Sequence, residues 1–121
     1  GGYTAFAAWP FQSGHTVWEG KISKPTDAEY LRTTAVARIY LDNFPHIKSY
    51  WITLGEKMAQ VALHYGCSDA DGTIMKEKII HDAGAPSELG HTRDFMINMI
   101  KNAGFIPVER DALYNEVQVY N

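Results

Sequence analysis

Between Thr26 and Tyr65 the spacing of apolar positions changes twice, and those changes lay out the centre of the chain. Thr26-Asp27-Ala28-Glu29 is a capping-box pattern, followed at mostly helical spacing by Tyr30, Leu31, Thr34, Ala35, Ile39 and Leu41 or Asp42. This predicts a helix of about four turns up to Asn43. Pro45 stops it, and Ile47 to Thr53 holds isoleucines, Tyr50 and Trp51 at the density of a strand. Leu54 to Tyr65 returns to a helical period through Met58, Val61, Ala62 and Tyr65, with Gly66 placed to end the helix.

The flanks are less regular. Gly1 to Trp9 is apolar and aromatic without a helical period, which predicts a buried strand closed by Pro10. Such an abrupt start predicts a chain cut from a longer one. Phe11 to Pro25 reads as a long loop, of the length that often carries function. Gly72 to Ile80 mixes Thr73-Ile74-Met75 with Lys76-Glu77-Lys78 and reads as a short strand and then a short helix. Gly84 to Gly90 reads as loop. Thr92 caps a helix from Arg93 to Ala103, ended by Gly104, with Phe105 to Val108 extended and the tail to Asn121 partly loose. Strands alternating with helices at this spacing imply parallel pairing and an α/β fold. About three such units are visible, at most the last third to half of a (βα) barrel of roughly 250 residues; a small open three-layer sheet is the alternative.

Composition narrows the function classes. Of 121 residues, 45% are hydrophobic and 21% charged, and the formal charge is −3. That is a globular composition, with no broad positive field for nucleic acid or anionic lipid. No stretch approaches the ~18 consecutive apolar residues of a membrane span, and the start lacks a basic signal region, so the expected location is cytoplasmic. Cys67 is the single cysteine, which excludes an intrachain disulfide and an all-cysteine metal site within these residues. It reads as a small structural residue whose pKa Asp69 and Asp71 would raise.

Five histidines stand at positions 15, 46, 64, 81 and 91, and none pairs with another at the spacing of a helical zinc motif, so no metal site is expected. His64 suits a helix C-terminus, and His46 a turn. Glu77 and His81, four apart, share a face if helical, either as an acid/base pair or as a solvated ion pair. Asp69, Asp71, Gly72 and Thr73 form an acidic turn able to meet a cation or ribose hydroxyls, or simply to cap itself. Trp9, Phe11 and Gln12 fall where a strand would leave a barrel on its C-terminal side, an aromatic wall for adenine or a benzoate ring. Arg110 suits a substrate carboxylate, with Glu109 and Asp111 as rival local partners.

Several of these segments together resemble one family. Val36-Ala37-Arg38, Leu41-Asp42-Asn43-Phe44-Pro45-His46-Ile47-Lys48, Gln60-Val61-Ala62-Leu63-His64, Asp71-Gly72-Thr73, Glu77-Lys78-Ile79, Ala83-Gly84 and Val108-Glu109-Arg110-Asp111 resemble the radical S-adenosylmethionine (SAM) enzymes of the futalosine route to menaquinone, most of all their aminofutalosine synthases. Gly1-Gly2-Tyr3-Thr4-Ala5-Phe6 and Trp9-Pro10-Phe11-Gln12 look more like the dehypoxanthine futalosine cyclases of the same family. The resemblance implies the C-terminal part of a radical SAM (βα) barrel over residues 1–121. It also implies a small-molecule substrate, and a four-iron cluster and SAM held by a CxxxCxxC loop outside these residues. In the synthases an adenosyl radical adds to 3-[(1-carboxyvinyl)oxy]benzoate; in the cyclases it starts ring closure. A more distant similarity is to enzymes that join aromatic and deazaflavin precursors. Carried onto this chain, the substrate wall would be Gln12 and Trp51 at strand ends with Asp71, Thr73, Glu77 and His81 around the final strand. Lacking the cysteine triad, the chain alone is expected to be inactive. A non-enzymatic reading is a half-barrel that associates through its open strand edges.

Overall fold

A computed structural model describes residues 2–74, 78–86 and 90–121. Its centre is parallel. Strand β1 (Ala5–Ala7) pairs with β2 (His46–Lys48) in the register Ala5↔His46, Phe6↔Ile47, Ala7↔Lys48. A third extended segment joins the other side of β2 through the parallel bridge Lys48↔Asp69, with the Ser49 N–H donating to the Asp69 carbonyl at 2.7 Å and the Ser68 N–H to that of Ile47 at 2.9 Å. Among the described residues β1 is thus one edge of a small parallel sheet, and the molecule is α/β, as expected.

Helix α1 (Asp27–Tyr40) carries the chain from β1 to β2. Its start follows the sequence signature: the Glu29 N–H donates to Thr26 Oγ1 at 3.2 Å and the Thr26 N–H to the Glu29 carboxylate at 2.8 Å, so two orphan donors are satisfied reciprocally. Tyr30, Thr34 and Ala37 form the buried face, whereas Ile39, expected inside, is 81% exposed. The helix ends at Tyr40 rather than Asn43, because Leu41 leaves the helical region and its carbonyl accepts from the Phe44 N–H in a turn.

The sequence expectation fails most clearly after β2. Instead of a strand to Thr53, Tyr50 turns the chain and Trp51–Leu54 forms a helical turn, α2, followed across Gly55 (φ 80°) by α3 (Glu56–Ala62). The expected helix from Leu54 to Tyr65 is therefore α3 plus a 3-10 turn, Leu63–Tyr65, closed by Gly66 at φ 100°. Packing decides this. Trp51 and Ile52 are fully enclosed among Tyr50, Ala59, Ala70, Met96 and Met99, and that burial outweighs their β-propensity. A second core, Tyr30, Ala37, Ile47, Ala62, Leu63 and Cys67, fills the space between α1, α3 and the sheet.

Residues 72–74 are not a strand; α4 (Lys78–Asp82) supplies the short helix expected there. Thr92 caps α5 (Arg93–Asn102) through the Phe95 N–H. The tail is ordered rather than loose: β3 (Val108–Arg110) and β4 (Glu116–Val119) form an antiparallel hairpin with an irregularity between Glu109 and Arg110. β1 is only partly buried, and Tyr3 beside it is largely exposed. Among the described residues no helix is long and apolar enough to cross a membrane.

Candidate functional site

Parallel strands end on the same side, so β1, β2 and the 67–70 segment deliver Trp9 to Gln12, Ser49 to Trp51, and Asp71 to Thr73 to one rim. Gln12 bends back there, donating through its amide to the Thr53 carbonyl at 3.2 Å. Trp9 lies with one face on Tyr50 (ring centroids 5.1 Å apart) and is 63% exposed, leaving the other face open. Gly14 lets the loop after β1 touch the end of α4: a Cβ there would stand 2.6 Å from the Ala83 carbonyl oxygen. That contact brings the helix bearing His81 to the same rim.

Trp51 was expected at a strand end. It instead opens α2, fully buried, with its indole N–H donating to the Gly72 carbonyl at 2.9 Å. It therefore supports the acidic turn from behind. Asp71 holds φ 62°, a conformation Asp tolerates. Thr73 is half-buried and its carbonyl accepts the His91 N–H. His81 is half-buried on α4, while Glu77 lies outside the described residues.

Below the rim the sheet face opposite Ile47 is charged. Lys48 Nζ meets Asp71 Oδ1 at 3.0 Å, and Arg110 grips Asp69 by two bonds, Nη2 to Oδ1 at 3.1 Å and Nε to Oδ2. Arg110 Nη2 stands a further 3.8 Å from Asp71, whose own N–H donates to Asp69 at 2.7 Å. The irregularity in the hairpin re-aims Arg110 toward the sheet. Asp69 is almost fully enclosed, so an unpaired carboxylate there would be costly and Arg110 is its counter-charge. Burial opposes the Lys48 charge, but Asp71 outweighs it and holds the ammonium above its ordinary pKa. The bonds to Asp69 do the same for Arg110, against burial. Of the rival partners expected for Arg110, Glu109 pairs instead with Arg93 at 2.5 Å, while Asp111 takes a bond from Arg110 Nη1 at 3.1 Å through its backbone carbonyl and binds the Leu113 and Asn115 N–H groups with its carboxylate.

Tyr114 stacks between the Arg110 guanidinium and the His46 ring, each 4.2 Å away, so His46 belongs to a strand face rather than to a turn. A cavity of about 860 Å³ opens between the 67–74 segment, α5 and the hairpin, with Asp69, Asp71, Thr73 and Arg110 at its polar end and Met96, Ile100 and Ile106 in its apolar wall. Sequence pattern alone does not single out Lys48, although His46-Ile47-Lys48 alternates polar and apolar, which places His46 and Lys48 on one face. His91 Nε2 also meets Glu56 Oε1 at 2.8 Å, a pairing that carries no sequence signal because the two are remote in the chain.

Cys67 does not ligate a cluster. It is buried, and burial pushes its thiol up to about 11, opposed by Tyr30 and Arg38, with Asp69 adding only a little. The aspartates were expected to raise it, and Asp69 does so, but desolvation is the larger cause. Among the described residues no three His, Cys, Asp or Glu side chains converge as a metal site. With a single cysteine in a closed core, these residues do not fit a four-iron cluster.

Comparison with known proteins places the chain. It is 48% identical to an aminodeoxyfutalosine synthase of Thermus thermophilus over all of its own length and 33% of the relative's. It is 33% identical to a cyclic dehypoxanthine futalosine synthase of Streptomyces coelicolor, over all of this chain and 30% of the relative. A 5-amino-6-(D-ribitylamino)uracil–L-tyrosine 4-hydroxyphenyl transferase of Archaeoglobus fulgidus is 40% identical over 95% of the chain and 34% of that enzyme. The chain thus spans about a third of the length of these relatives. The family model described as CofH/MqnC C-terminal region matches residues 1–121, and the chain belongs to that family.

Proposed function

We propose that this chain is the substrate-binding part of a radical SAM enzyme of the futalosine route to menaquinone, forming the last strands of its (βα) barrel. The reaction proposed for the whole enzyme is addition of an adenosyl radical to 3-[(1-carboxyvinyl)oxy]benzoate, giving aminofutalosine. The higher identity to the aminodeoxyfutalosine synthase than to the cyclic dehypoxanthine futalosine synthase favours it. Closure of dehypoxanthine futalosine is the second reading, favoured by the opening residues Gly1 to Phe6 and Trp9 to Gln12.

The observation that carries the reading is the convergence of Gln12, Asp71 and Thr73 on one rim of parallel strands, with Arg110 arriving from the hairpin. The roles assigned to these residues are binding and proton handling; iron and SAM chemistry belong to residues outside this chain. Trp9 offers a flat face to an aromatic ring, with Trp51 backing the turn. A substrate carboxylate would take the outer edge of Arg110 and the Lys48 ammonium, replacing the loose 3.8 Å contact to Asp71 while Asp69 keeps Arg110 in place. Glu77 and His81 are proposed to move or hold a proton near the substrate.

The test is anaerobic assay of the full-length enzyme with both candidate substrates. Glu77→Gln and His81→Asn should each lower product formation by about tenfold or more while SAM cleavage stays measurable. Wild-type turnover in both variants would sink the site assignment, and product only from dehypoxanthine futalosine would replace the synthase reading with the cyclase.

A further inference from the structure

The turn that carries Asp71 and Thr73 is held in a conformation it would not adopt alone. Asp71 at φ 62° and Ile74 at φ 31° flank it, and a positive φ is unfavourable for a β-branched residue such as Ile74, so the surroundings must impose the shape. Two donors do so. The Trp51 indole N–H fixes the Gly72 carbonyl at 2.9 Å, and the His91 N–H fixes the Thr73 carbonyl at 3.0 Å.

Those donors share one support. The His91 ring, with only 6% of its side chain exposed, lies between Phe95 (centroids 3.8 Å, nearly parallel) and the Trp51 indole (4.6 Å, tilted). Its Nε2 meets Glu56 Oε1, on the first residue of α3, at 2.8 Å. Rotation of the ring would therefore disturb the indole and the backbone at 91 together.

We infer that the Glu56–His91 pair is a positioning device: it locks the imidazole between Trp51 and Phe95 and so fixes the 72–73 carbonyls beneath Asp71 and Thr73. The pair does not touch substrate. This inference rests on the substrate-binding role proposed above for the turn. Because the carboxylate acts as an acceptor toward His91, an amide at position 56 keeps an acceptor oxygen while alanine does not.

The experiment uses the full-length enzyme with Glu56→Ala, Glu56→Gln and His91→Phe, measured by substrate KM and kcat and by amide hydrogen exchange of the 69–74 peptide. Glu56→Ala should raise KM about tenfold with kcat within about threefold, and speed exchange at 69–74 about tenfold. Glu56→Gln should restore both to within about threefold of wild type, and His91→Phe should behave as Glu56→Ala because it keeps the stacking but not the tether. Wild-type KM and exchange in Glu56→Ala overturn the inference. So does an equal rise in exchange over the whole chain in both Glu56 variants, which would mark the pair as a general fold contact. Failure of the wild-type enzyme to turn over either substrate would sink the functional reading alone, since exchange at 69–74 still decides the positioning.

Discussion

Cys67 and Tyr30 face each other in the core between α1 and the sheet, and both titrate late because burial disfavours their anions. The buried Tyr30 hydroxyl makes no hydrogen bond of good geometry among the described residues, although the Thr34 hydroxyl and the Cys67 thiol lie close enough to influence it. For Cys67 the sign is clear. The folded pKa, about 11, stands above the ordinary value of 9.0, so its full contribution is present below pH 9 and is lost as pH rises toward 11. That difference is worth roughly 2–3 kcal/mol. Urea unfolding between pH 8 and 11 should show stability falling more steeply in the wild-type chain than in Cys67→Ala. Parallel curves would overturn the assignment. A nearby cation contributes differently: Arg38 donates to the carbonyls of Gly66 (2.9 Å) and Phe44 (3.2 Å) and to Ser68 Oγ (3.1 Å), tying α1 to the entrance of β2 and to the segment beside it. Gly66 is required there, since a Cβ would stand 2.7 Å from Arg38 Cβ.

Among the elements, α1 shows how far local chemistry reaches. Its start needs only Thr26 and Glu29, three residues apart, and it formed as the capping box dictates. Removing the cap with Thr26→Ala should cost about 1 kcal/mol, read as a lower urea midpoint at unchanged slope. No loss would mean that tertiary contacts alone hold the helix. The buried stripe was less legible, because Ile39 sits at an acceptable helical spacing yet faces solvent while small Ala37 packs on the sheet. α2 shows the opposite limit. Ile47 to Thr53 has strand propensity throughout, but only β2 has a sheet neighbour on each side, and Trp51 gains more from an enclosed pocket than from further pairing. The hairpin was unforeseen for a related reason. Its strands carry exposed, mixed residues, so no alternation against a core marks them.

For the molecule as a whole, the parallel sheet stops at β1, whose outer edge has no strand partner among the described residues. Val36, Ile39 and Tyr40 are exposed on α1, and Tyr3 and Trp9 flank β1. An open edge with apolar neighbours favours association. The isolated chain should therefore sediment as dimer or larger as concentration rises from about 10 to 200 µM, whereas a full-length enzyme that pairs this edge internally should not. A strictly monomeric isolated chain over that range would count against an unpaired edge.

What local rules could supply is the alternation of strands and helices, the caps at Thr26 and Thr92, and the terminating Gly66 and Gly104, whereas the grouping of Gln12, Asp71 and Thr73 was implied by the family resemblance. The local features depend on neighbours within a few residues, which are written in spacing. The partners of the charged and aromatic groups are not. Arg110 reaching Asp69, Glu56 meeting His91, and Trp51 turning inward to hold Gly72 all join segments that spacing treats as unrelated. Only packing brings them together, because a buried carboxylate must find a cation and an enclosed indole N–H an acceptor, and which one is near depends on how the helices and hairpin close over the sheet.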